Sequence, residues 1–223
     1  MAGLMGYNIV GTVATNPIPE PIRGINAFTI GLHKGLKEAG QDFKADKANT
    51  VVWLKAWRDA INETTLADTL VARKHDLIRQ MADTPDSSVA ACAAGVPAIG
   101  YGEDAYRYGA DCALVSSIWN WGPIYVDKVQ QVMAGTWKAG EYWGGFDKNN
   151  IVLSDFNASV PEAVRQKVLA EKKKLEGGQD DIFAGPLYDH PHDPRGTEGF
   201  GQGSSDHALA CEGSQGEYPA VEN

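Results

Sequence analysis

From Asn8 onward, short apolar runs alternate with longer stretches of helical period. The runs "NIVGTVA" (8–14), "TVVWLKAW" (50–57), "DLIRQMA" (76–82), "PAIGYG" (97–102) and "CALVSSI" (112–118) are rich in β-branched and other apolar side chains. They are expected to be strands. Between the first two, residues 16–40 open with proline turn chemistry and then place Ile22, Ile25, Phe28 (or Thr29) and Leu32 near helical spacing. Gly40 is the expected stop. The same periodicity predicts helices over 63–75, 85–95 and 122–135. Strands separated by helices imply parallel βαβ crossovers. The pattern therefore predicts a doubly wound α/β sheet with about five parallel strands.

In such a sheet a ligand lies outside the carboxyl ends of the strands. That rule selects Thr15–Pro19, Trp57–Asp59, Asp83–Pro85, Tyr101–Asp104 and Trp119–Trp121. The stretch "SSIWNWGPIYVDKV" (116–129) thus brings two indoles to the edge where chemistry is expected.

After Gly135 the character changes. "IVLSDF" (151–156) reads as a strand. Residues 159–178 read as a helix, with Ser159 as N-cap, Pro161 and Glu162 in the first turn, and Gly177 as stop. "DIFAGPLYD" (181–189) reads as a last strand or edge, and 190–223 as an irregular polar tail.

Charge narrows the function classes. The 223 residues carry a formal net charge of −9. Nucleic-acid binders neutralise phosphates with a basic surplus or stripe, and this chain has neither. Its one lysine cluster, "AEKKKLE" (170–176), lies among glutamates and reads as a solvated helix face. No apolar run approaches the ~20 residues of a membrane span. "MAGLMGYNIVGTVAT" lacks the regions of a signal peptide. Three cysteines, Cys92, Cys112 and Cys211, are too few and too irregular for a disulfide framework or zinc site. Cys92 and Cys112 read as small core residues, and the redox compartment stays open.

The candidate chemistry is that of binding. Trp57, Trp119 and Trp121 fall at predicted strand ends, where an indole either covers the rim or stacks on a flat ligand. Asp83 and Asp104 end two further strands. Each is either a capping or loop carboxylate, or an acceptor for a ligand's N–H and O–H groups. No nucleophile elbow, metalloprotease, phosphate-loop or dinucleotide motif is present. Asp59, Asp83, Glu103 and Asp104 offer carboxylates without a nucleophile–base pair. "YDHPHDP" (188–194) lacks the three or four convergent ligands of a zinc site. No catalytic residue, metal or cofactor is expected.

Several stretches carry a resemblance: "NPIPEPIRGINAFTIG" (16–31), "VVWLKAW" (51–57), "DTP" (83–85), "AIGYGED" (98–104), "WNWGPIY" (119–125) and "GTWKAGEYWGG" (135–145). In this order they are similar to the basic membrane protein (BMP) family, the purine-nucleoside receptors among the substrate-binding proteins of ABC transporters. The resemblance runs from about residue 8 to about residue 189. It implies a type I periplasmic-binding-protein fold, in which two α/β lobes close on a purine base or nucleoside. It implies a permease partner and a place in the periplasm or on the outer side of a membrane, in common with lipoproteins of this kind. Trp57 corresponds to the aromatic that stacks on the base, Asp83 to the acid of the family's "T-D-S-P" turn, and Asp104 to its strand-end acid. Trp119 stands near the place of a ribose-side lysine, which favours a free base such as adenine.

By the same resemblance, 1–150 is expected to be the second-lobe ligand-binding domain, and 151–189 a crossover and hinge segment that packs on a first lobe. The first lobe itself is not matched, and 190–223 keeps only scraps of the family's end, so the chain reads as a fragment or rearranged copy. An uncovered interlobe surface would then predict self-association. A lone lobe is expected to bind purines weakly, since a micromolar Kd needs about −8.2 kcal/mol. The competing functions are a nucleoside-processing enzyme using Asp83 or Asp104 and a regulatory purine sensor of the same fold. Turnover of a nucleoside separates the first, and an attached signalling module the second.

Overall fold

The computed structural model describes residues 1–44, 47–179 and 182–184. It contains a six-stranded sheet of order β2-β1-β3-β4-β5-β6. The strands are β1 (Val10–Ala14), β2 (Asn49–Trp53), β3 (Leu77–Met81), β4 (Ala98–Gly102), β5 (Ala113–Trp119) and β6 (Ile151–Leu153). The first five are parallel and β6 runs antiparallel beside β5, pairing Trp119 with Ile151. The helices are α1 (Pro19–Glu38), α2 (Ala60–Ala72), α3 (Asp86–Ala93), α4 (Gly122–Met133) and α5 (Glu162–Glu176).

The period-two alternation of a strand divides the core between two faces. Val10, Leu77 and Leu114 meet Leu32 and Leu36 of α1 and Val160 ahead of α5. Val13, Ile78 and Ala98 meet Ala67 and Leu70 of α2 and Ala90 and Ala91 of α3 on the other side. Gly11 lets α2 approach the sheet, since a Cβ there would stand 2.8 Å from Leu70 Cδ1. The predicted doubly wound arrangement is therefore present.

Four expectations need correction. The second strand ends at Trp53, not Trp57, because Lys55 takes a left-handed φ of 57° and turns the chain out of the sheet. The last helix starts at Glu162 behind Pro161, and Ser159 does not cap it. The Ser159 hydroxyl and backbone N–H both donate to Asn157 Oδ1, a side-chain turn that competes with capping. Cys92 and Cys112 are joined by a disulfide, with Cα atoms 5.3 Å apart, so they are not simple core residues. Residues 182–184 form no strand, and the rest of the expected last strand lies outside the described residues, as does the segment 190–223.

Two helices are unusually exposed. Neither α4 nor α5 contains a buried residue, and α4 turns Tyr125, Val126, Val129, Val132 and Met133 outward. The α5 helix is tied to α1 by the ion pairs Lys34–Glu171 and Lys167–Glu38. Among the described residues, no helix is long and apolar enough to cross a membrane.

Candidate functional site

The carboxyl edge of the sheet gathers the candidate residues into two groups. The first is built by the turns after β2 and β3. Pairing continues briefly beyond the strands, with Leu54 N–H bonded to Ala14 O at 2.7 Å and Lys55 N–H to Thr15 O at 2.8 Å. The bend at Lys55 then carries Trp57 over β1 to the turn after β3, where the Asp83 N–H donates to the Trp57 carbonyl at 3.3 Å. Trp57 is 49% exposed, enough to leave an indole face for a ligand while its backbone is anchored. Asp59 is not available to a ligand in the same way: it caps α2, accepting from the backbone and side-chain nitrogens of Asn62 at 3.1 and 2.7 Å. Those bonds lower its pKa.

Asp83 differs. Its residue is open to solvent, and among the described residues its carboxylate accepts no hydrogen bond. Neighbouring protein still desolvates the carboxyl enough to raise its pKa, and the Arg58 charge opposes the shift. It is an acid with unspent acceptor capacity, in a turn bonded through its backbone to that of Trp57.

The second group is aromatic. Tyr101 and Trp119 meet edge to face with centroids 5.0 Å apart, Trp119 and Trp121 at 6.1 Å, and Trp121 stacks on Tyr125 at 6.2 Å. Trp119, at the end of β5, is half-buried in this row, whereas Trp121 at the start of α4 is 48% exposed. The row is fixed from α1, because Tyr101 donates from its hydroxyl to Glu20 Oε1 at 2.8 Å. Burial and the Glu20 charge raise the Tyr101 pKa, keeping the phenol a donor. Asp104 is turned to local work. It opens a 3₁₀ turn at Ala105–Tyr108, accepts from Tyr106 N–H at 3.3 Å and pairs with Arg107 at 3.6 Å.

Supporting residues escaped the sequence reading. Gln80 of β3 is buried, and its amide donates to the carbonyls of Ala82 and Tyr101 at 3.0 Å each while accepting from Ser88 at 3.2 Å. It fastens the ends of β3, β4 and α3 together. A glutamine inside the apolar run "DLIRQMA" was the available signal, since a buried amide must be satisfied. Gly100 lets β4 approach β5, where Ser116 Oγ accepts from Ala105 N–H at 3.1 Å and seats the Asp104 turn.

None of these strand-end residues lines the groove of about 550 Å³ between β6 and α5, which Val152, Phe156, Arg165, Leu169 and Lys172 border. No group of three or more metal-ligating side chains occurs among the described residues, and "YDHPHDP" lies outside them. The edge therefore offers flat apolar faces and one unoccupied carboxylate. These groups can stack on a planar molecule and accept its hydrogen bonds.

The family described as ABC transporter substrate-binding protein, PnrA-like, matches residues 2–179. A Haloferax volcanii protein whose name describes an ABC transporter glucose-binding protein is 31% identical over 83% of this chain and 46% of its own length. A purine-binding protein of Brucella abortus is 27% identical over 80% of this chain and 49% of its own. The chain thus spans about half the length of these relatives. Two solved structures share the fold. An ABC transporter solute-binding protein from Conexibacter woesei has a TM-score of 0.58 and 22% identity, covering 81% of this chain and 59% of that one. A transcriptional activator of the comK gene from Bacillus halodurans has a TM-score of 0.63 and 21% identity, covering 80% and 62%.

Proposed function

Because the chain belongs to the PnrA-like substrate-binding proteins of ABC transporters, we propose that its strand-end surface binds a purine, with Trp57 against the ring and Asp83 accepting its N–H groups. The observation that carries this reading is the backbone bond between Asp83 and Trp57, which joins the turn of a half-exposed indole to that of a carboxylate no described residue occupies. Adenine presents a flat face and several N–H donors, so it satisfies both groups at once. Trp121 and Trp119 extend the aromatic wall, and Asp104 stands at the next turn as a second acid once released from its capping bond. The chain performs no chemistry on the ligand in this reading.

The energetics favour a half-site. A base–indole stack contributes about 1–3 kcal/mol, and a hydrogen bond to a charged group about 1.5–3. Before the entropy of association is subtracted, that sum only approaches the −8.2 kcal/mol of a micromolar complex. Tight binding requires a second surface over the ligand, as in a receptor whose two lobes close. Region 1–150 then acts as one lobe, the segment that begins at residue 151 leads toward the other, and the loaded receptor delivers its purine to a permease outside the cytoplasm. The Cys92–Cys112 disulfide supports that location, because such bonds persist in oxidising compartments.

A sugar could use the same two groups, its C–H face on the indole and its hydroxyls on the carboxylate, so glucose is the informative competitor. Calorimetry of residues 1–223 should give adenine binding weaker than micromolar and no heat with glucose. Glucose binding without adenine binding would replace the purine reading, and sub-micromolar adenine binding would refute the half-site arithmetic.

A further inference from the structure

Beneath the strand-end surface lies a buried carboxyl that the sequence reading passed over. Glu63, in the first turn of α2, is fully buried, a rare state for glutamate. Its Oε1 accepts a hydrogen bond from Thr84 Oγ1 at 2.6 Å, while Oε2 has no partner among the described residues. Ser87, in the first turn of α3, is also fully buried, and its hydroxyl oxygen likewise has no partner among them. The α3 helix starts behind Pro85 with no side chain of its own capping the free N–H groups. The Glu63 carboxyl lies close enough to the Ser87 backbone N–H for that group to favour its charged form. One side chain from α2 therefore reaches both the turn that carries Asp83 and the beginning of α3.

We propose that Glu63 is a positioning residue of the strand-end site, latching the turn 83–85 onto α2 and so holding Asp83 beside Trp57. The ligand consequence rests on the purine reading above, whereas the latch itself does not. Protonation sets its strength. When protonated, Oε2 becomes a donor, and Ser87 Oγ is an acceptor at the same helix start. When ionised, the carboxylate must sit buried opposite Asp86. Burial pushes the Glu63 pKa up to about 7, with Asp86 adding to the rise; the Thr84 hydroxyl and backbone N–H groups oppose it. The other charged groups at this corner are Asp59, which caps α2 one turn before Glu63 and is held by Asn62, and Arg58 and Asp83 on the adjoining turns. The latch is thus closed below neutral pH and loosened above it.

The full chain without ligand tests this directly. Carbon-13 NMR of the glutamate carboxyls should show one, assigned to Glu63, titrating near pH 7 instead of near 4.5. The amide signals of Asp83–Ser87 and the Trp57 indole N–H should follow the same midpoint. In Glu63→Gln the amide supplies an acceptor for Thr84 and a donor for Ser87 at every pH. That variant should lose the transition and resemble the wild type at low pH, and it carries the test even if Glu63→Ala fails to fold. Adenine affinity should fall above pH 7 in the wild type but not in Glu63→Gln. The proposal is overturned if Glu63 titrates with the exposed glutamates, if the 83–87 signals ignore its titration, or if Glu63→Gln keeps the transition. If adenine does not bind while these ligand-free signals behave as described, the purine reading fails and the latch stands.

Discussion

Cutting the Cys92–Cys112 bond offers a quantitative check on the sheet's connectivity. The bond joins the last turn of α3 to the residue before β5, at the amino edge of the sheet, across a sequence separation of 20. Closing a loop of that size in the unfolded chain corresponds to about 3 kcal/mol of stabilisation. For a domain of this length each kcal/mol moves Tm by about 2–4 °C, so reduction should lower Tm by about 6–12 °C. Thermal unfolding with and without reductant, alongside a Cys92→Ala/Cys112→Ala variant, measures the shift. The bond holds two cysteines, so the denatured protein should titrate two more thiols after its reduction than before. Adenine binding should survive reduction, because the bond lies opposite the strand-end surface. A thiol count or a Tm that reduction leaves unmoved would refute the reasoning.

Other perturbations separate site from scaffold. Trp57→Ala should weaken adenine binding about 5- to 150-fold, the loss of one base–indole stack, while urea unfolding shifts by no more than about 0.5 kcal/mol, as expected for an exposed side chain. Gly100→Ala should cost about 1–3 kcal/mol in the same assay: its Cβ would stand 2.1 Å from Ser116 Oγ and 2.9 Å from Ala105 Cβ, so Ser116 must turn and lose the Ala105 N–H. A neutral result there would deny the close approach of β4 and β5. Glu63 also sets a pH dependence. Its folded pKa of about 7 lies above the ordinary 4.5, so its stabilising contribution is full below about 4.5 and is lost as pH rises through about 7. At about 1.4 kcal/mol per unit this amounts to about 3 kcal/mol, and Glu63→Gln should flatten the dependence in urea melts across that range.

Much of the fold was legible because its signals are local. β-branched runs, helical spacing and Gly40 beyond α1 report on a few neighbouring residues at a time, and five parallel strands follow from their alternation. What stayed hidden depends on residues distant in sequence. Cys92 and Cys112 read as small core residues until the packing of α3 against the start of β5 brings them together. Glu63 occupies the register of Ala67 and Leu70, one face of a helix, yet glutamate is a residue type almost never fully buried. Trp57 was placed on the strand because "VVWLKAW" is continuous in β propensity, and only the backbone of Lys55 shows where the chain leaves the sheet. The site was half legible. The strand-end rule selected the edge, while the division between an acid left open, Asp83, and one engaged in capping, Asp104, follows from turn geometry.

The strand-end site stands or falls on whether a purine rests on Trp57 beside Asp83. A nitrogen-15 NMR titration of the full chain with adenine, followed by the same titration with glucose, addresses it most directly. The Trp57 indole N–H and the Asp83 amide should move saturably with adenine and stay still with glucose, and in Trp57→Ala the Asp83 response should need about 5- to 150-fold more adenine. Adenine shifts confined to other surfaces, or no shifts at millimolar adenine, would contradict the account.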